Sequence, residues 1–382
     1  DVIFNKENLN KIHPLIDRTD YINECSGKIA EYYVEVLCNK INGEISNHIT
    51  SDLLHEHSNL SFNKANPNYP FKMYFSNENL LKFIFWEFSY PIDFTLKVNG
   101  KHYDYQINGD NNIIETEIKI ENIKTIWERR PMEPMNTFSP IGEEFLETIS
   151  VEQKSFYRQF RHSLNHCKWI GNPLSDLRAS SKILQKSIAQ KVGFNIPKTI
   201  ISNNYNELKL FLDESRDYIV KPLKADSIQI DEDNQMVFYA RKVTHSQLDG
   251  ISEIGFQNAP NYIQEYIEKK HEIRLTMVGN KAFAAKIDSK SMLSGQGKED
   301  WREGYDFGVK FTEMPLDPVL IKKCKAFLDQ LDLNFGCFDF IVDENENVFF
   351  LECNSNGQWL WIEEDTGMDI SGAVAEWLIN YE

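Results

Sequence analysis

The stretch Gly336–Gly357, GCFDFIVDENENVFFLECNSNG, constrains the fold more than any other. Phe338, Phe340, Ile341 and Val342, then Val348, Phe349, Phe350 and Leu351, form two apolar runs of strand length around a polar turn. Both read as core strands. Yet Asp339 is set inside the first, and Glu352 and Asn354 close the second. An uncompensated carboxylate is costly to bury, so the fold must bring something to these oxygens. Side chains alternate faces along a strand, which puts Glu352 and Asn354 on one face. Asp339 lies across from Glu352 if the loop is the four residues Glu344–Asn347; a three- or five-residue loop would put them on opposite faces. The four-residue loop is the expectation, because the alternative buries two separate charges. Two carboxylates and an amide oxygen facing one spot make a hard-cation site. With so few protein ligands, Mg2+ completed by phosphate oxygens and water suits it better than Ca2+. No His or paired Cys lies nearby to suggest zinc. Taken alone, the stretch also reads as an edge hairpin with its acids turned to water.

The basic residues weigh against that plainer reading. Lys221 ends the apolar strand YIVK, and Lys182 lies on the helix before it. Arg274 is embedded in EIRLTM, Lys286 in AFAAKID, and Arg302 follows Asp300-Trp301. Singly, each is a solvated or snorkelling base. Together, in a chain of formal net charge −17, they are cations inserted one by one into apolar segments. That pattern suits a polyphosphate held by Lys and Arg, with Mg2+ on its far side. The same net charge argues against nucleic-acid binding through a general basic surface. The sequence lacks GxxxxGK[ST], a GxGxxG after a strand, and the HRD that a kinase sets beside its DFG. Any nucleotide must then sit between strands rather than at a glycine-rich helix start.

At 382 residues the chain suits two or three domains. Its six cysteines are scattered without a CxxC pair and read as reduced, mostly buried thiols of a cytosolic protein. No apolar run is long enough to cross a bilayer, and no signal-peptide pattern is present, although the sequence begins at Asp1 rather than Met. Gly27–Asn39 has helical spacing, and Phe83–Ile120 reads as a strand and a hairpin. Ile123–Pro131 is one more strand, so the first third is a small α/β unit. Residues 140–168 and Leu177–Val192 are expected helices, the latter stopped by Gly193. Asp217–Leu223, Tyr262–Ile267 and Glu272–Asp288 are expected strands, and Pro318–Leu331 a helix capped by Asp317.

The order of these motifs resembles the ATP-grasp superfamily. Lys182, Lys221, the hinge Gln264-Glu265-Tyr266-Ile267, then Glu272-Ile273-Arg274, Asp339 and Glu352-x-Asn354 follow one another across the C-terminal half. Within the superfamily the chain looks like the ATP-grasp peptide maturases of the microviridin type, the graspetide synthetases. IKTIWERRP, the stretch KWIGNPLSDLRASSKILQKSIAQKVGFNIPKTIISN, and AAKIDSK with the later Asp300-Trp301-Arg302 are similar to segments of that family. The resemblance implies an α/β (α+β) ATP-grasp fold: an N-terminal pre-ATP-grasp domain over 1–170, a central subdomain over 171–268, and a C-terminal subdomain over 269–382. It implies that Lys182 and Lys221 contact the nucleotide phosphates. Glu265 and Ile267 would present backbone to adenine, and Glu272 would hold the ribose. Arg274, Lys286 and Arg302 would face the transferred phosphate and the acyl phosphate. Asp339, Glu352 and Asn354 would bind Mg2+. The loop Lys224–Val237 departs from the superfamily pattern in lacking glycines over the phosphates.

What the resemblance implies for function is an ATP- and Mg2+-dependent ligase of the bacterial cytoplasm. It would phosphorylate Asp or Glu side chains of a ribosomal precursor peptide, leader plus core. It would then close esters with Ser or Thr, or amides with Lys. Arg129 and Arg130 would contribute to peptide binding, though surface arginines ending a strand are an equal reading. A homodimer is also implied, and neither nucleic acid nor membrane is an expected partner. Two other readings share the nucleotide residues: a ligase adding a free amino acid, like a glutamate ligase or glutathione synthetase, and a non-catalytic nucleotide-binding protein.

Overall fold

A computed structural model describes residues 72–77, 84–87, 93–99, 102–108, 118–119, 123–128 and 143–380, except 224–226, 230–234, 238–239, 294–296, 303 and 305–307. The expected helix Gly27–Asn39 and the pair Arg129 and Arg130 lie outside the described residues. Contacts divide the chain into two units, one comprising Leu177–Met368 and the other running up to Asp176 and taking in Asp369–Glu382.

In the N-terminal unit, β1 (Lys72–Asn77), β2 (Ile84–Glu87), β3 (Asp93–Asn99), β4 (His102–Asn108), β5 (Ile118–Lys119), β6 (Ile123–Glu128) and β7 (Lys168–Ile170) form two sheets, ordered β2-β1-β6-β7 and β3-β4-β5. Helix α1 (Glu143–Ser163) precedes β7, and α2 (Pro173–Ala179) follows it. The last helix, Ile370–Asn380, belongs to this unit by its contacts rather than to the 269–382 segment with which it is continuous. It buries Ile370, Val374 and Leu378. The Thr125 hydroxyl, fully buried, donates to the Leu378 carbonyl at 2.8 Å.

The larger unit opens with α3 (Lys182–Lys191). The expected single helix Leu177–Val192 is two, because Ser181 leaves helical geometry and its hydroxyl accepts from the Leu184 N–H at the start of α3. Gly193 ends α3 at φ +83°, as expected of a glycine stop. Strands β8 (Thr199–Ser202) and β9 (Asp217–Lys221) flank α4 (Tyr205–Phe211). The hairpin β10 (Ser227–Gln229) and β11 (Gln235–Val237) leads to β12 (Arg241–Thr244), α5 (His245–Asp249) and α6 (Glu253–Gln257). With β13 (Asn261–Glu265) these make an antiparallel sheet ordered β12-β9-β13-β8.

A second antiparallel sheet carries the opening hairpin. Its strands are β14 (Lys269–Val278), β15 (Lys281–Ile287), β16 (Phe311–Glu313), β17 (Phe335–Asp343) and β18 (Val348–Asn354), ordered β16-β15-β14-β17-β18. Helix α7 (Pro318–Leu331), capped by Asp317 as expected, buries Cys324, Phe327, Leu328 and Leu331 against one face. That face supplies Ile273, Leu275, Met277, Phe338, Phe340, Val342 and Phe350. Phe350 stacks on Phe194 at 5.3 Å and lies 5.2 Å from Phe327.

The expected four residues Glu344–Asn347 do separate β17 from β18, but the pairing tightens the tip beyond them. Val342 pairs with Val348, and the Asp343 N–H donates to the Asn347 carbonyl, leaving the three residues Glu344–Glu346 at the tip. Glu346 there takes φ +63°. By alternation alone this odd loop would send Glu352 to the aromatic face. Instead the register shifts between Asp339 and Phe340: Phe340 pairs with Phe350, Asp339 with Glu352, and Leu351 bulges out. The two carboxylates do lie opposite each other, through a bulge rather than through loop length.

Strand β18 is the outer strand of its sheet, and α3 with the turn after it satisfies its open side. Gln185 donates to the Cys353 carbonyl and accepts from the Cys353 N–H, at 2.9 and 2.8 Å. Asn195 accepts from the Phe350 N–H with its carbonyl and donates from its side chain to the Val348 carbonyl.

Candidate functional site

The other face of the five-stranded sheet is charged. Arg274 and Asp339 are direct neighbours on β14 and β17. The guanidinium Nη1 donates to Asp339 Oδ2 at 2.7 Å, and Nη2 to the Gln358 carbonyl at 3.3 Å. Asp339 Oδ1 is buried with no hydrogen bond. Gly357 passes so close that a Cβ there would meet Arg274 Nη2 at 2.8 Å and Cys337 at 2.5 Å, so only glycine fits. Burial and the facing Glu352 raise the Asp339 pKa, against Arg274. Burial acts on Glu352 in the same sense, but Lys221, Arg302 and Lys182 outweigh it and hold its carboxyl below the usual range. Two adjacent carboxylates therefore differ in proton affinity.

Three lysines on the α3 and β9 side act on Glu352 by charge. Lys182 Nζ donates to the Pro222 carbonyl at 2.7 Å. Lys221 Nζ lies 4.9 Å from the centre of the Tyr262 ring. Its pKa is lowered by burial and by Lys182, against Glu352. Lys186, one turn after Lys182, donates to the carbonyls of Leu351 at 2.7 Å and Phe350 at 3.3 Å. From the opposite side, Asp300 grips Arg302 in a two-point pair, Nε to Oδ1 at 2.7 Å and Nη2 to Oδ2 at 2.5 Å. Trp301 between them is buried against Phe311 and Trp361, and its ring centre lies 5.8 Å from the Arg274 guanidinium.

Two further groups complete the surroundings. Glu272 is nearly sealed from solvent, and burial raises its pKa to about 6 although Lys269 and Ser289 oppose this. Lys269 Nζ is 3.1 Å from its Oε2, and the Ser289 hydroxyl donates to the same oxygen. At the end of β13, Gln264 donates to Thr199 Oγ1 at 3.0 Å, and Glu265 pairs with Arg216. The Glu265 and Tyr266 amides donate to the carbonyls of Lys198 and Asp217, and Lys242 sits over the Tyr266 ring. Ile267 makes no hydrogen bond among the described residues.

A family model described as a RimK-like ATP-grasp domain matches residues 179–378. The chain is a RimK-like ATP-grasp protein. Its mixed helices and antiparallel sheets are the ATP-grasp ligase fold. Over 77% of this chain and 86% of the other, the RimK-like protein is similar to a RiPP-associated ATP-grasp ligase from Chryseobacterium gregarium solved with ADP and a leader and core peptide (TM-score 0.69, 26% identity). Over 77% and 89% it is similar to the macrocyclase MdnC of Microcystis aeruginosa bound with the precursor peptide MdnA (TM-score 0.64, 28% identity). Among curated proteins it is 23% identical to the tetrahydromethanopterin:alpha-L-glutamate ligase of Methanocaldococcus jannaschii, over 57% of this chain and 72% of the relative.

Within this RimK-like domain, Lys182, Lys221, Arg274, Arg302, Asp339 and Glu352 converge by contact or charge. Asn354 pairs with Cys337, two residues from Asp339, and its Oδ1 accepts the Asn356 N–H at 3.1 Å in a turn. Lys286 is not brought in. It pairs with Ile273, a core residue, whereas Arg274 pairs with Ala285, so the register gives Lys286 to the aromatic face. Sequence reading passed over Lys186 and Lys269, and quoted Asp300 in its motif without giving it a part. The i, i+4 spacing from Lys182 pointed to Lys186. Lys269 reaches the Glu272 side only because a second register shift, between Lys269 and His271, breaks the alternation of β14. Among the described residues no three His, Cys, Asp or Glu side chains gather into a self-sufficient metal cage, and no helix is long and apolar enough to cross a membrane.

Proposed function

We propose that this protein is an ADP-forming, ATP-dependent carboxylate ligase that closes side-chain esters or amides within a ribosomal precursor peptide. The observation that carries the reading is the charge balance around Glu352. Lys182, Lys221 and Arg302 surround one ionised carboxylate, beside Arg274 on Asp339. Such a cluster of cations calls for an anion of several charges, and the polyphosphate of ATP supplies it. The unpartnered Asp339 oxygen and Glu352, whose carboxylate makes no hydrogen bond to a described residue, fit Mg2+ shared with phosphate oxygens. Asn354 would need to release its turn contact to join them. The metal would neutralise developing charge on the phosphates.

The chain's own residues then have these parts. Lys182 and Lys221 hold the phosphates. Ile267, with backbone groups to spare, meets the adenine beside Glu265, while Gln264 and Tyr266 fix the hinge. Glu272, steadied by Lys269 and Ser289, meets the ribose. A substrate carboxylate oxygen attacks the γ-phosphorus and ADP leaves. A hydroxyl or amine then attacks the acyl carbon, phosphate leaves and a proton is lost. Arg274 and Arg302, the second oriented by Asp300, stabilise the oxyanion of that step. Arg129 and Arg130 remain proposed contributors to peptide binding, and a homodimer in the bacterial cytoplasm a proposed context. The four described cysteines are buried thiols outside any disulfide, which accords with a reducing compartment.

The likeness to the two peptide-bound ligases spans 77% of the chain, beyond the matched 179–378 domain, and this favours a peptide substrate. The curated glutamate ligase favours a second reading, addition of a free amino acid. Mass spectrometry separates them. The protein with ATP, Mg2+ and peptides encoded beside its gene should release ADP and remove one water per link. Mass gained only when a free amino acid is supplied would overturn the macrocyclase reading in favour of the second.

A further inference from the structure

The bulge at Leu351 does what the loop length does not: it keeps Glu352 off the aromatic face and opposite Asp339. A bulge leaves backbone groups out of the ladder, and they need partners. Here the partner is one side chain. Lys186 Nζ donates to the carbonyls of Leu351 and Phe350, the bulged residue and the one before it. Its ammonium also lies 5.2 Å from the centre of the Phe350 ring. On the far side of Glu352, Gln185 of the same helix takes both backbone groups of Cys353. Helix α3 thus grips β18 on both sides of Glu352. The arrangement is electrostatically adverse for Lys186. Burial, Lys221 and Lys182 all lower its pKa well below the usual lysine value, with Glu352 opposing.

We propose that Lys186 is a positioning residue, a latch on the Leu351 bulge that holds Glu352 opposite Asp339, and not a phosphate ligand. This rests on the reading of Asp339 and Glu352 as the Mg2+ pair. Lys186 gives two of its donors to the strand, whereas Lys182 gives one, to the Pro222 carbonyl, and with Lys221 is left for the nucleotide. Removing Leu351 itself would bring Glu352 opposite Asp339 in plain register, and the latch would then have nothing to hold.

Four proteins test this: wild type, Lys186→Met, a variant lacking Leu351, and the two changes combined. Two titrations are read on each, Mn2+ in the presence of ADP and ADP in EDTA. Lys186→Met should weaken Mn2+ about tenfold, as loss of a residue supporting metal ligands does. It should leave ADP binding in EDTA within about twofold, whereas Lys221→Met weakens it. In the Leu351-less background Lys186→Met should change neither titration. Weakened metal-free ADP binding in Lys186→Met, or an equal loss of Mn2+ affinity in both backgrounds, would overturn the latch. Should the deletion fail to fold, exchange of the Leu351 and Glu352 amides decides: faster in Lys186→Met supports the latch, unchanged refutes it. Wild type that binds ADP but no Mn2+ sinks the metal reading instead, and with it Glu352's part in the proposal, while the exchange measurement still judges the latch.

Discussion

The two faces of the hairpin Phe335–Asn354 are built from the same two strands and obey opposite rules. On one face Phe338, Phe340 and Phe350 meet Phe194 and Phe327 in a closed aromatic core. On the other, Asp339 keeps a buried oxygen without a partner, and Glu352 is held by charge rather than by hydrogen bonds. The first face is complete within the chain. The second is stable as ordered but leaves valence over, which is what a binding site needs. A single-residue slip would exchange the faces, so the bulge at Leu351 separates packing from chemistry.

The sharpest test of that separation takes one residue from each face. Phe338→Ala empties a fully buried aromatic position and should lower the unfolding free energy by about 3–5 kcal/mol, seen in denaturant titration. Nucleotide affinity should hold while the protein stays folded; a parallel loss would show that the faces are coupled. Asp339→Asn should do the reverse. Turnover, followed by ADP release, should fall about 10²–10³-fold. Stability should be unchanged or raised, since a carboxylate whose burial is unfavourable is replaced by a neutral isostere that still accepts from Arg274. Retained turnover would remove Asp339 from the chemistry.

Smaller effects probe the borders of the charged face. Glu272 has a folded pKa of about 6 against an ordinary 4.5. Its raised value stabilises the fold fully below pH 4.5, and that contribution is lost as pH rises through about 6. The loss is about 2 kcal/mol. Glu272→Gln should flatten stability across that window, and a slope identical to wild type would contradict the assignment. Last, Lys286→Gln should change turnover by less than about twofold, the size of an ordinary surface substitution. A tenfold drop would mean that Lys286 reaches across from the aromatic face after all.

Much of this was legible in the sequence because it depends on local rules. The apolar runs gave β17 and β18, Asp317-Pro318 gave the start of α7, and Gly193 the end of α3. The unusual charges marked the five residues that converge with Glu352: Lys182, Lys221, Arg274, Arg302 and Asp339. What escaped depends on interruptions of period. The shift at Leu351 turned an odd loop into the right pairing, and the shift beside Lys269 turned that lysine toward Glu272. Alternation cannot announce either bulge, and the one at Leu351 is held by a group distant in sequence: Lys186 is 165 residues from the Leu351 carbonyl it binds. Ser181 divides a helix whose apolar stripe reads straight through it, because a side-chain cap leaves no mark on hydrophobic spacing.

The covered edge of β18 also bears on how the molecule behaves among copies of itself. A bare edge strand offers a row of N–H and C=O groups on which a second chain can extend the sheet, the usual seed of self-association. Here the outward groups of Val348, Phe350, Leu351 and Cys353 are already taken by Asn195, Lys186 and Gln185. The side chains of one helix and its following turn occupy the place of a sixth strand. Neither a neighbouring molecule nor an extended peptide can add to the sheet along this margin without first displacing α3, so any peptide must be recognised by its side chains or at another edge.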